Sequence, residues 1–222
     1  MVATCVAPIK ARVARLIKLD TCGAPVTGAG SAVAVFGGFV SIAASPQYIE
    51  GTEYIQKTAN GDLCVNDKDG NELKRVNLTI TFCTIDPDVI AMITGERLLT
   101  AGTPATGTGV AYGEGVLTGR YSLEVWQPVS GAGSCASGGE QFMYWLFGNV
   151  GNSMVGDFTF EQGVFTLTIT SETKSWNTNW PNLIGGRTTG LGATNTLQAG
   201  EHFLHNVTQV PAPTASCGAV PL

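Results

Sequence analysis

A two-residue alternation is the feature that most limits how this chain can fold. Across residues 73–84, Val76, Leu78, Ile80 and Phe82 are apolar while Arg75, Asn77, Thr79 and Thr81 are polar. Successive side chains point to opposite faces in an extended strand, so the pattern specifies one buried and one wet face. Residues 163–171 repeat it, with Phe165, Leu167 and Ile169 between Thr166, Thr168 and Thr170. Residues 31–36, 39–44 and 121–127 read as further strands, and the apolar run 141–148 as a strand buried on both faces. Asn60-Gly61, Asp69-Gly70 and Gln162-Gly163 supply turn chemistry between them. Leu-Thr-Ile-Thr occurs at 78–81 and again at 167–170, a match short enough to be chance in a chain with 26 Thr.

One segment breaks the alternation. In residues 85–95 (IDPDVIAMITG), Asp86 stands where an N-cap would, and Pro87 at the first helical position gives up only a donor that is orphaned anyway. Asp88 suits the positive end of the dipole, and Gly95 suits a left-handed stop. Val89, Ile90, Met92 and Ile93 give an apolar face about two turns long. The spacing predicts a helix over about 86–94, and the fold class is mainly β, a sandwich or barrel with one short flanking helix.

Catalytic chemistry finds no foothold in the sequence. His202 and His205 are spaced three apart, which on a strand puts them on opposite faces, and they read as polar surface. Gly133-Ser134-Cys135 lacks the second glycine of a nucleophile elbow, and glycines 107, 109 and 113 miss dinucleotide-loop spacing. Glu50/Glu53 and Asp157/Glu161 read as solvated acidic turns. No catalytic, cofactor or metal residue is assigned. The six cysteines form no CxxC pair, which excludes zinc ribbons and thioredoxin-type motifs, and they read as buried free thiols. Lys10, Arg12, Arg15 and Lys18 interrupt any signal-peptide core, so the chain is expected to stay in a cytosol. No stretch is long enough for a membrane span. Asn77 and Asn206 head glycosylation sequons that would be idle there.

Charge is the other constraint. Charged residues are 13% of the chain, about half the usual share, and 12 Lys+Arg face 17 Asp+Glu. That balance excludes a basic nucleic-acid binder and a disordered acidic tail. No Lys or Arg occurs between Arg120 and Lys174. Either neutral polar side chains solvate that half or other subunits cover it, and homo-assembly is the more economical reading. Residues 100–115, rich in Gly and Thr, and the Pro-rich 211–222 have too little apolar surface to order alone, so they read as bridging segments. Trp145 reads as core, Trp126 as either core or surface, and Trp176 and Trp180 as surface aromatics that anchor a protein interface or bind a sugar.

Four blocks carry a family resemblance. Residues 15–26 (RLIKLDTCGAPV) resemble the opening of major tail proteins of long-tailed phages that infect actinobacteria. Residues 82–88 (FCTIDPD) with 92–95 (MITG), 122–128 (SLEVWQP) and 202–213 (HFLHNVTQVPAP) are similar to later blocks, in the expected order. The resemblance implies a tail-tube subunit, not an enzyme and without cofactors, forming hexameric rings that stack into a hollow tube. Its partners would be copies of itself, tape-measure, tail-terminator and tail-tip proteins, and double-stranded DNA in transit, with no membrane. It would be assembled in the host cytoplasm and reside in the virion tail. On that reading, 1–20 is an N-terminal arm and first strand, 21–210 the tube domain with a bridging loop over about 98–118, and 211–222 a C-terminal arm. Some of Glu50, Glu53, Asp157 and Glu161, the candidate lumen-facing acidic residues, would line the lumen and repel DNA. Lys10, Arg12, Arg15, Trp176 and Trp180 would contact neighbouring subunits, with the basic stretch either against acidic surface or solvated. Rival readings are a carbohydrate-binding β-sandwich using Trp176 and Trp180, or another virion β-protein such as a capsid decoration or tail-tip component.

Overall fold

Each alternating run forms a strand in the computed structural model, which describes residues 7–130, 140–158, 162–163, 165–176, 180–181, 183–191 and 195–222. In the first half, β1 (Ala7–Pro8), β2 (Val13–Lys18), β3 (Val33–Phe36) and β4 (Phe39–Ile49) precede a hairpin, β5 (Glu53–Lys57) and β6 (Leu63–Lys68). Then come β7 (Glu72–Phe82), helix α1 (Pro87–Thr94), and a second hairpin, β8 (Arg97–Ala101) and β9 (Thr106–Ala111). The second half holds β10 (Arg120–Ser130), β11 (Phe142–Val155), β12 (Leu167–Thr173), the short β13 (Leu183–Ile184) and β14 (Arg187–Thr188), and β15 (Phe203–Thr208). The fold is mainly β with one short helix.

Nine strands join in one antiparallel sheet, ordered β3-β2-β10-β11-β12-β7-β4, with β1 beside β10 and β15 beside β11. Strand β11 branches it. Phe142 to Phe147 pair with β15, whereas Val150 to Val155 pair with β12, with a register shift between Gly151 and Met154. The two Leu-Thr-Ile-Thr segments lie side by side, with Ile80 opposite Ile169, Thr79 opposite Thr170 and Thr81 opposite Thr168.

Alternation along the central strands builds two cores. Ala14 and Leu16 of β2, and Tyr121, Leu123 and Val125 of β10, join Val76, Leu78, Ile80, Leu167, Ile169 and the apolar face of α1. Residues of the opposite parity, Ile17, Trp126, Tyr144 and Leu146, pack against Trp176, Trp180, Ile184, Leu191 and Leu197 from the stretch that precedes β15. Strands β7 and β12 serve only the first core, so their other faces stay at the surface.

Helix α1 forms as its sequence predicts. Asp86 is the N-cap and accepts from the Asp88 N–H, Pro87 opens the helix, and Gly95 ends it at φ 77° with its N–H on the Ala91 carbonyl. Residues 98–118 differ from expectation. They are no free bridging loop, because β8 and β9 pair with each other and pack on α1. Main-chain pairing, together with Val110 against the first core, supplies the ordering that the Gly/Thr composition conceals. The 211–222 segment is not a free arm either, since Ser216 and Val220 hydrogen-bond to the edge of β3. Of the 1–20 stretch, Ala7 and Pro8 pair with β10.

A methyl group at Gly95 would lie 2.4 Å from the Gly119 nitrogen, whereas Gly61, also left-handed at φ 88°, has nothing within 4 Å. Gly61→Ala should therefore cost about 1 kcal/mol for backbone strain alone. Gly95→Ala should cost at least twice that in urea unfolding, because the 118–119 backbone must also move.

Candidate assembly interface

The most conspicuous surface is a ribbon that leaves the body. Strands β4 and β7 pair from Phe39 opposite Phe82 to Ile49 opposite Glu72, and the β5–β6 hairpin follows at the far end. Burial on β7 ends at Val76, and every residue of β5 and β6 is exposed. The exposed residues include Tyr48, Ile49, Tyr54, Ile55, Leu63 and Val65, each 44–61% accessible. Cross-strand partners share a face, which puts Tyr54 with Asp67 and Gln56 with Val65 on one side, and Ile55 with Asn66 on the other. Apolar groups thus face solvent on both sides of a two-stranded ribbon, a structure that is marginal by itself.

Nearer the body, the outward faces of β4, β7 and β12 form a hydroxyl-rich field. Its rows run Ser41, Thr81, Thr168, then Ala43, Thr79, Thr170, then Ser45, Asn77, Glu172. Thr81 and Thr168 approach within 3.5 Å. Arg75 and Glu172 are the charges on this face among the described residues, and they meet at 3.3 Å. At roughly a third exposed, that pair contributes little stability but leaves the field neutral.

The expected acidic set does not assemble there. Glu50 and Glu53 are exposed at the ribbon end, and Glu53 stands opposite Lys68. Asp157 is exposed beyond Val155, whose row runs through Ile169 and Ile80 to Ile42, so it lies at the opposite end of the sheet from Glu50. Glu161 lies outside the described residues.

Three of the expected contact residues are internal. Arg15 is 4% exposed, and its guanidinium grips Glu124, directly across from it on β10, through Nε and through Nη2 at 2.9 Å. Nη2 also donates to the Thr188 carbonyl at 3.0 Å, the Tyr144 hydroxyl donates to Glu124, and Arg15 lies 5.3 Å from the Trp126 ring centre. Burial works against the Arg15 charge, but Glu124 outweighs it and raises the pKa. Burial, then the Glu124 charge, hold the Tyr144 hydroxyl well above its usual range. Trp176 and Trp180 are 3% and 0% exposed and meet edge to face at 4.8 Å, closing the second core. Their polar neighbours in sequence hid this role, and neither ring is available to a sugar or a partner. Lys10, Arg12 and Lys18 remain exposed. Trp145, expected in the core, is half-buried, donating to Gln127 at 2.8 Å with its ring 4.9 Å from His205.

The two histidines, both expected at the surface, differ: His202, just before β15, is internal. His202 is buried with Nδ1 at 2.9 Å from the Thr173 hydroxyl, and burial lowers its pKa; His205 is exposed. Cys22, Cys64, Cys83 and Cys217 are free and exposed rather than buried, because they fall in turns, on the ribbon and in the 211–222 segment. Cys5 and Cys135 lie outside the described residues. Among the described residues no cluster of three metal-ligating side chains occurs, and no helix is long and apolar enough to cross a membrane. The outer edges of β4 and β15 carry no strand of this chain among those residues.

Arg15→Met should destabilise the protein by about 3–5 kcal/mol, because Glu124 loses its cationic partner in the interior. Adding Glu124→Gln should recover much of that, so a double-mutant cycle read by urea unfolding should show strong coupling. In comparison with known proteins, no family model and no curated protein matches the chain, and the use of these surfaces has to be inferred from their chemistry.

Proposed function

We propose that this chain is a structural subunit that assembles with copies of itself into stacked rings, forming a hollow tube of the phage-tail type that passes double-stranded DNA. The ribbon carries the proposal: six large apolar side chains stand exposed on a projection the subunit does not cover. The outer edges of β4 and β15, which carry no strand among the described residues, supply a second means of joining, since an unpaired edge pairs readily with another strand. A head-to-tail contact of this kind closes into a ring or continues as a filament.

The hydroxyl field on β4, β7 and β12 is the surface we assign to the lumen, in place of an acidic lining. A basic wall would bind each phosphate it met by releasing counterions and would hold DNA in place. Threonine hydroxyls, with Arg75 and Glu172 neutralising each other, solvate the wall without offering that grip. With Trp176 and Trp180 in the core, a sugar-binding platform has no exposed tryptophan pair to use.

Negative-stain electron microscopy of the purified protein should show extended hollow rods. Discrete small rings would favour a decoration or tail-tip role, and persistent monomers would defeat the assembly reading. The combination Tyr54→Ser, Ile55→Ser, Leu63→Ser and Val65→Ser should leave the circular dichroism spectrum and unfolding midpoint nearly unchanged while abolishing rods. Thr79→Lys with Thr170→Lys should permit tubes but slow DNA release several-fold in an ejection assay, most strongly at low salt.

A further inference from the structure

Among the described residues the outer edges of β4 and β15 carry no strand, whereas the edge of β3 is covered by a partly exposed segment that is not itself a strand. Val33 and Val220 exchange main-chain hydrogen bonds of 2.8 Å each, and the Ser216 N–H donates to the Val35 carbonyl at 3.0 Å. Ala219 packs against the first core and Ala212 and Leu222 against the second, each only partly buried, and the remaining anchors are polar. The Gly218 N–H donates to Asp86 at 2.7 Å, the Leu222 N–H to the Ser31 hydroxyl at 3.0 Å, and Arg187 to the Pro221 carbonyl at 3.2 Å. No residue from 211 to 222 is buried, and Val220 is 43% exposed. Beside the segment lies a partly open apolar hollow of about 180 Å³, lined in part by Phe36, Phe82, Val89 and Ala215.

We propose that residues 211–222 are an exchangeable edge guard, which keeps β3 from accepting a strand of a second copy until the segment is displaced. The chemistry of the exchange is balanced. An incoming strand offers β3 the same main-chain donors and acceptors, so the edge loses nothing when one replaces the other. Each copy also carries an available strand, because β4 is 11 residues long and its outer edge is unpaired among the described residues. A guarded β3 edge that accepts the β4 edge of another copy would make joining directional and conditional on release. The inference stands on contacts at β3 and does not require that the final assembly be a tube.

The guard can be weakened without touching the core. Val220→Pro removes the N–H that bonds to Val33, and Gly218→Pro cannot adopt the φ of 81° that Gly218 holds. In the full-length double variant, hydrogen exchange at the Val33 amide should accelerate at least tenfold. Self-association, followed by sedimentation velocity, should begin at a several-fold lower protein concentration than in the parent chain. A synthetic peptide of residues 211–222 added in excess should reverse that shift. An unchanged association threshold in the double variant would overturn the proposal, whether the Val33 amide exchanges faster or not. Association that the peptide leaves unaffected would overturn it too, since the new contact would then lie elsewhere. Absence of rods from the parent chain would count against the tube and leave this comparison intact.

Discussion

Strands β10 and β11 serve two cores at once, and the rest of the structure depends on that double duty. Residues of one parity on β10 (Tyr121, Leu123, Val125) face α1, β7 and β12, while Trp126, of the other parity, faces the stretch carrying Trp176 and Trp180. A one-residue slip of either strand would exchange the two sets. Arg15 and Glu124 oppose such a slip from the second face. Their direct cross-strand pairing aligns β2 with β10, and the Tyr144 hydroxyl ties β11 to the same carboxylate. Whether the pair adds net stability over apolar residues is secondary, because in any other register both charges would be buried alone.

Most of this was legible where a local rule governs. The threonine alternation marks β7 and β12 because one face is buried and the other wet, and the caps of α1 lie within a few residues of each other in sequence. What was not legible depended on long-range pairing. Arg15 looks like one more cation in a basic stretch until Glu124, 109 positions away, is placed opposite it. Trp176 and Trp180 sit among Lys, Ser, Asn and Thr, and only the packing of their stretch across β11 turns both rings inward. The β8–β9 hairpin shows the converse error. Its composition argues against independent order, yet main-chain pairing and the helix beside it provide the order that side chains lack.

The placement of the acidic residues also depends on long-range register. Glu50, Glu53 and Asp157 were grouped by sign and by nearness to turns, but register separates the first two from the third by much of the sheet's length. The space between is occupied by threonine and serine, whose spacing follows strand alternation and so was visible from the start as a wet face. Hydroxyls on strands serve two requirements together, since threonine is a good strand former and also solvates an uncharged surface. A chain with 13% charged residues can remain soluble in this way.

The energetics of the ribbon explain why such a subunit could wait before assembling. Tyr48, Ile49, Tyr54, Ile55, Leu63 and Val65 are each about half exposed, and covering the remainder would stabilise a contact by roughly 1 kcal/mol apiece, or about 6 kcal/mol together. Association itself costs about 4–15 kcal/mol in lost translational and rotational freedom. A single ribbon docked on a single neighbour therefore comes close to breaking even. In a closed ring each subunit gives and receives contacts, and after the first contact the later ones are effectively intramolecular. Under the proposed assembly, growth on an existing ring would be favourable while a pairwise encounter would only break even, so assembly would need nucleation and control over a strand edge would be worth having.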